Sequence, residues 1–129
     1  PQMDRLEANR DKRAALVARY EEKLSGIDGL QWPRTAPETT HSRHLFTIWI
    51  ADGRRDQVIA SLQNAGISVM VNYRAIHLLT YFRETLGLLR EMFPVAEEIG
   101  DSTISLPLYP NMPEAHVDRV ANALKNAMQ

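Results

Sequence analysis

Residues 69–83 read VMVNYRAIHLLTYFR. A β-branched run from Val69 to Val71 stops at Asn72, Tyr73, Arg74 and His77, and an apolar, aromatic segment follows. Hydrogen-bonding groups crowded at a strand end often contact ligands, and they are equally ordinary loop chemistry. An amide, a phenol, a guanidinium and an imidazole together suit a polar, anionic ligand. On the plainer account Tyr73 plugs a core edge and Arg74 faces water, and spacing alone favours that account. The flanking sequence has to decide.

On the N-terminal side, HLFTIWIA (44–51) has Leu45, Thr47 and Trp49 on one parity and Phe46, Ile48 and Ile50 on the other. That pattern predicts a strand central in its sheet and covered on both faces. Asp52-Gly53 turns the chain, and Val58, Ile59, Leu62 and Ala65 line one face of a helix that Gly66 can close in the left-handed conformation. Ile67, Val69 and Val71 alternate with Ser68 and Met70, predicting a second strand that runs into the motif.

On the other side, Leu78, Leu79, Phe82 and Leu86 predict a short helix ended by Gly87. Pro94 suits the first turn of another, with Val95 and Ile99 on its inner side. Thr103 to Leu108 is a third strand limited by Pro107, and Val117, Val120, Ala121, Leu124 and Met128 mark a final helix.

Met3, Leu6, Val17, Tyr20 and Leu24, with Leu16 beside them, define a first amphipathic helix that Arg10 and Arg13 interrupt. Such a helix packs partly on another surface or bridges two bodies. Residues 31–43, QWPRTAPETTHSR, read as a loop. Together these elements predict an α+β fold, a small sheet of about three mainly antiparallel strands with helices packed on it.

The bulk numbers narrow the function classes. A chain of 129 residues is one domain's worth, and 44% hydrophobic with 24% charged residues is globular composition. Fifteen Lys and Arg against sixteen Asp and Glu leave a formal charge of −1, without the basic footprint that nucleic acid requires. The absence of Cys excludes disulfides, thiolate metal sites and a cysteine nucleophile, and it fits a reducing, cytoplasmic setting. No apolar run approaches the roughly 20 residues of a membrane span. The opening PQMDRLEANRDKR lacks an initiator Met and is already in helical rhythm, as if cut from something longer.

No complete catalytic constellation is visible. His41 and His44 straddle a loop-to-strand boundary without a carboxylate at ligand spacing, so turn and strand-edge roles are expected instead of a metal site. Glu97 and Glu98 point about 100° apart on a helix and cannot face each other as an acid/base pair, which leaves a solvated face. His116, in the first turn of the last helix, is expected at the surface.

The segments HSRHLFTIWI, the helix from Arg55 to Leu62, NAGISVMVNYRAIHLLTYFRE, FPVAEEIGDSTISLPLYP and VDRVANALKNAM, in that order, resemble the C-terminal small domain of the DegT/DnrJ/StrS-type sugar aminotransferases. The likeness covers nearly the whole chain. It rests on the strand-end Tyr73 followed four residues later by His77, the FPVAEEI helix start and the Ser-Leu-Pro strand. Asn72 departs from the commoner His, and Arg90-Glu91-Met92 stands where a Gly is often found.

The resemblance implies the small domain of a fold-type I enzyme dependent on pyridoxal phosphate (PLP) that passes an amino group from an amino-acid donor to a nucleotide-linked keto-sugar. It implies a homodimeric parent whose large domain holds the cofactor and supplies the Schiff-base Lys. Residues 1–29 would then be a connecting helix from that domain and 30–129 the small domain. Asn72, Tyr73 and Arg74 become the expected substrate contacts, with His77 fixing the loop or reaching the ligand.

A desolvated Lys is needed for the Schiff base, and Lys12, Lys23 and Lys125 all lie among charged neighbours on polar helix faces. No catalytic residue and no cofactor are therefore expected in this chain alone. Two other readings stay open: a stand-alone α+β ligand-binding or dimerisation module, and part of a related sugar dehydratase. The isolated 129-residue chain should show no PLP absorbance band after incubation with the cofactor and no transamination; either signal in a spectrophotometric assay would refute the inactive-fragment expectation.

Overall fold

The computed structural model describes residues 3–129. The sheet has three strands, β1 (Leu30–Gln31), β2 (Phe46–Ile50) and β3 (Thr103–Leu106), in the order β1-β2-β3 with both pairings antiparallel. Around it lie α1 (Leu6–Leu24), α2 (Arg55–Asn64), α3 (Thr80–Leu86), α4 (Pro94–Ser102) and α5 (Glu114–Met128). The expected α+β class is therefore the observed one.

Strand β2 is central, as its composition predicts, with Leu30 opposite Ile50 on one side and Phe46 opposite Leu106 on the other. Phe46, Ile48 and Ile50 are buried, whereas Thr47 and Trp49 are only half-buried. The strand is thus fully covered on one face, not on both. That buried face meets Leu16, Val17, Tyr20 and Leu24 of α1, Val58 and Leu62 of α2, and the Val117–Val120–Ala121–Leu124–Met128 stripe of α5 in one apolar cluster.

The stripe of α5 is buried in full, because three- and four-residue spacing leaves those side chains on one face. Only the second half of α1 is buried; Met3 and Leu6 stay exposed, and Arg13 donates to the Ser42 carbonyl at 3.1 Å. Tyr20 is fully buried, stacks on Phe46 at 5.1 Å between ring centroids, and donates its hydroxyl to the Pro107 carbonyl at 3.0 Å. Its phenol is pushed well above the ordinary range by burial. Arg19 spans α1 and α5 through two hydrogen bonds to Asp118, at 2.9 and 2.7 Å.

Three further expectations change. The segment 67–71 is not a strand: only Met70 pairs, with Ser105, through bonds of 3.3 and 2.7 Å. Four to five residues further on, the Arg74–Ala75 backbone lies against Gly100 of α4. Residues 30–31, partly assigned to a loop, instead supply the two-residue β1. Finally, Val95 and Ile99 face outward on α4, whose buried positions are Glu97 and Gly100.

Gly66 adopts φ 71° after α2, as expected, while the Ile67 N–H reaches back to the Leu62 carbonyl at 2.9 Å. Arg119 of α5 donates to the Ala65 carbonyl at 2.8 Å and so holds the end of α2.

Val120→Asp would place a charge on the inward stripe and is expected to cost at least about 2 kcal/mol. Asn122→Asp, on the exposed side of the same helix, should be nearly neutral. Chemical denaturation of both variants checks this, and equal midpoints would show that α5 is rotated from its observed orientation.

Candidate functional site

From Arg74 to His77 exposed and buried residues alternate without forming a strand. Ala75 and His77 are buried, whereas Tyr73, Arg74 and Ile76 are exposed, Tyr73 to 74%. The Asn72–Tyr73 peptide bond is cis. Asn72 is half-buried, and its Oδ1 lies buried without a hydrogen-bond partner among the described residues. Of the four predicted contacts, Tyr73 and Arg74 thus reach the surface side by side, Asn72 stands behind them, and His77 points inward.

His77 donates from Nε2 to Glu97 Oε1 at 2.9 Å. The carboxylate has no hydrogen of its own, which places the proton on Nε2. The same oxygen accepts the Glu91 N–H at 2.6 Å, and Arg90 Nη1 lies 3.6 Å from Oε2. Phe93 packs on the imidazole at 4.9 Å between centroids.

The solvated role expected for Glu97 is therefore wrong, while Glu98 is exposed as expected. Burial works against the charged form of Glu97. The bonds from His77 and from the Glu91 N–H, with the nearby His77 and Arg90 charges, outweigh it and hold the carboxyl below its ordinary range.

Two shallow depressions meet at Arg74. One, about 480 Å³, is lined by Val71, Tyr73, Arg74, Ile76 and Leu79. The other, about 590 Å³, includes Arg74, Thr80, Arg83, Arg90 and Asp101. Arg90 is paired with Asp101 at 3.3 Å, but neither Arg74 nor Arg83 has a side-chain partner among the described residues. The pair of unneutralised guanidiniums beside an exposed phenol suits an anionic group carrying apolar or planar parts. A groove of about 590 Å³ beside β2 and α4, lined by Trp49, Asp52, Glu98 and Asp101, shares Asp101 with the second depression but has no Lys or Arg in its lining, so its carboxylates stand unbalanced against an anion.

The other sequence candidates stay apart from this cluster. His41 Nδ1 accepts the Arg43 N–H at 2.8 Å within its own loop, and His116 is exposed, 3.5 Å from the Tyr109 hydroxyl. Among the described residues no group of three His, Cys, Asp or Glu converges for a metal, and no helix is long and apolar enough to cross a membrane.

Sequence reasoning missed Glu97, Gly100 and Arg83. A signal for the first two existed: Gly inside a helix is costly unless close packing requires it, and Glu97 lies three residues before Gly100 on the same face.

The lysines test whether the chain could itself carry PLP. Lys12 is exposed and donates to Asn111 at 3.1 Å, Lys23 lies 3.7 Å from Asp118, and Lys125 sits beside the C-terminal Gln129. None stands in a desolvated pocket beside the Tyr73–Arg74 cluster, so these residues do not fit a Schiff-base site.

A model of the DegT/DnrJ/EryC1/StrS aminotransferase family matches residues 1–125. Among solved structures, DesV of S. venezuelae, determined in complex with a ketimine intermediate, is 29% identical with a TM-score of 0.91, covering 98% of this chain and 34% of DesV. Spr1654 of Streptococcus pneumoniae, provisionally named a sugar aminotransferase and solved in a PLP-form, is 27% identical at TM-score 0.89, with 98% and 33% covered. The sugar aminotransferase CalS13 of Micromonospora echinospora, at 19% identity and TM-score 0.81, shares the fold, with 96% and 32% covered. The chain spans about a third of the length of the structures it matches.

Because the Glu97 pKa is depressed on folding, its contribution is present above the carboxyl's unfolded pKa and lost as pH falls through the folded one. Glu97→Gln keeps an acceptor and removes the titration. Its stability should therefore fall less than the wild type's on acidification through and below the ordinary carboxylate range, as read by denaturant midpoints; parallel profiles would contradict the depressed pKa.

Proposed function

The chain belongs to the DegT/DnrJ/EryC1/StrS aminotransferase family, and from that premise we propose that it is the C-terminal, substrate-closing domain of a PLP-dependent enzyme that aminates a nucleotide-linked keto-sugar. The observation that carries the proposal is the exposure of Tyr73 beside Arg74 at the junction of two depressions, with Arg83 close by and, among the described residues, no carboxylate paired with either cation, Asp101 being paired with Arg90. On this reading Arg74 meets the diphosphate, Tyr73 packs on the nucleoside or sugar, Asn72 stands next to them, and His77 fixes the loop.

The cofactor supplies the electron sink for amino transfer and belongs to a larger parent. This domain's share is orientation, in which binding energy from the remote nucleotide holds the sugar carbonyl where reaction occurs. The provisional sugar-aminotransferase name and PLP-form of Spr1654 support that assignment.

The exposed apolar side chains Ile76, Leu86, Leu89, Met92 and Val95 suit a surface that faces the rest of such a parent. Of residues 1–29, the first two lie outside the described residues; α1, with Met3 and Leu6 uncovered, suits the connecting helix. We also propose, on family likeness, that the parent is a cytoplasmic homodimer.

In the continuous polypeptide joining this chain to a cofactor domain, Arg74→Ala should lower kcat/KM for the keto-sugar nucleotide roughly ten- to a hundredfold, the worth of a charge-assisted contact. The half-reaction with the amino donor should change by less than about twofold. Equal losses in the two half-reactions would sink the assignment of Arg74 to the nucleotide end.

A further inference from the structure

Helix α4 buries two residues, Glu97 and Gly100, one turn apart on the same face. Both are spent on the loop that carries Tyr73 and Arg74. Glu97 takes the His77 imidazole and the Glu91 N–H. A Cβ at Gly100 would lie 2.5 Å from the Ala75 nitrogen and 3.2 Å from the Arg74 carbonyl carbon, so the helix backbone and the loop backbone are in direct contact there.

The same turn is anchored from the far side. Arg55, buried at the start of α2, donates from Nη1 to the carbonyls of Gly100 at 3.4 Å and Thr103 at 3.5 Å. The loop is consequently fastened at two points, residues 74–75 and residue 77, to a helix whose last turn is bonded from the core side by Arg55.

We propose that Glu97 and Gly100 are positioning residues for ligand binding: they preset the backbone of residues 74–77 and thereby the direction in which Tyr73 and Arg74 leave it. Neither residue touches the ligand. The functional meaning rests on the reading of Tyr73 and Arg74 as ligand contacts, whereas the fastening itself can be measured without any ligand.

Gly100→Ala makes the distinction sharp. Helix propensity alone predicts that Ala stabilises α4. The close approach predicts the opposite local effect, because the new methyl must push the Arg74–Ala75 backbone away.

The test is amide hydrogen exchange and backbone NMR of the 129-residue chain, compared among wild type, Gly100→Ala, Glu97→Ala and Glu97→Gln. Gly100→Ala and Glu97→Ala should speed exchange at the Leu78 and Leu79 amides, bonded to Ala75 and Ile76 carbonyls, by ~10-fold or more, while α5 amides change less than about twofold. Glu97→Gln, still an acceptor for the His77 and Glu91 donors, should restore wild-type exchange and chemical shifts at residues 73–79.

Unchanged exchange in both disruptive variants, or equal acceleration throughout α5, would overturn the positioning role. If Gly100→Ala does not fold, the Glu97 pair decides alone. A titration with inorganic pyrophosphate forms the second arm: saturable shifts at Arg74 in the wild type should weaken about tenfold in Glu97→Ala and recover in Glu97→Gln. No shift in the wild type would count against the anion contact of Arg74, and the exchange arm would still decide the fastening.

Discussion

The contact on which the candidate site depends is the approach of α4 to the Arg74–Ala75 backbone at Gly100, too close for any side chain. Gly in a helix interior costs about 1 kcal/mol relative to Ala, so the position carries a local penalty that only packing can offset. The approach fixes the register of the helix against the loop. One turn earlier, the same face presents Glu97 at the height of His77. One short helix thus sets two constraints on four consecutive loop residues, one on the backbone at 74–75 and one at His77.

Two kinds of cohesion divide the molecule. The face of the sheet that meets α1, α2 and α5 is held by apolar burial, with Ile48, Leu62, Val117 and Leu124 all at or near zero exposure. The part from Met70 to Gly100 is held differently. Helix α3 buries no residue, and α4 buries a carboxylate and a glycine while Val95 and Ile99 remain at the surface. Fastening by a few polar contacts gives less local stability than a packed core, and binding loops are commonly drawn from such low-stability segments. Arg55 links the two parts by bonding carbonyls at the end of α4 from within the buried start of α2.

The sequence was legible wherever burial is apolar and periodic. The α5 stripe, the central position of β2, Gly66 and Gly87 as helix terminators and Pro94 at the start of α4 all follow from rules that assume an oily interior. The same assumption misread α4, where Val95 and Ile99 are spaced for an inward face and the actual inward residues are Glu97 and Gly100. It also misread 67–71, whose alternation is strand-like but which pairs only at Met70, shortly before the Arg74–Ala75 backbone meets α4. At two residues, β1 is too short to carry a period. Of the site itself, the cluster Asn72, Tyr73, Arg74 and His77 was visible as residue types. Its division into outward and inward members was not, because that depends on a helix some twenty residues away in the chain.

That division sharpens what the proposed domain contributes. An imidazole fully exposed beside Tyr73 and Arg74 would add a ligand contact but leave the loop free to sample many backbone conformations, and ordering it would subtract from binding. With His77 turned inward and bonded to Glu97, the proposed site has one fewer direct contact and, on the positioning proposal, a loop ordered before the ligand arrives. Orientation is the contribution a domain without a Schiff-base Lys can make to amino transfer. A reacting carbonyl displaced by about 1 Å can cost two orders of magnitude in rate, so rigidity remote from the chemistry has catalytic consequence. On the proposed reading, the carboxylate of Glu97 serves the reaction by keeping an arginine and a tyrosine in place.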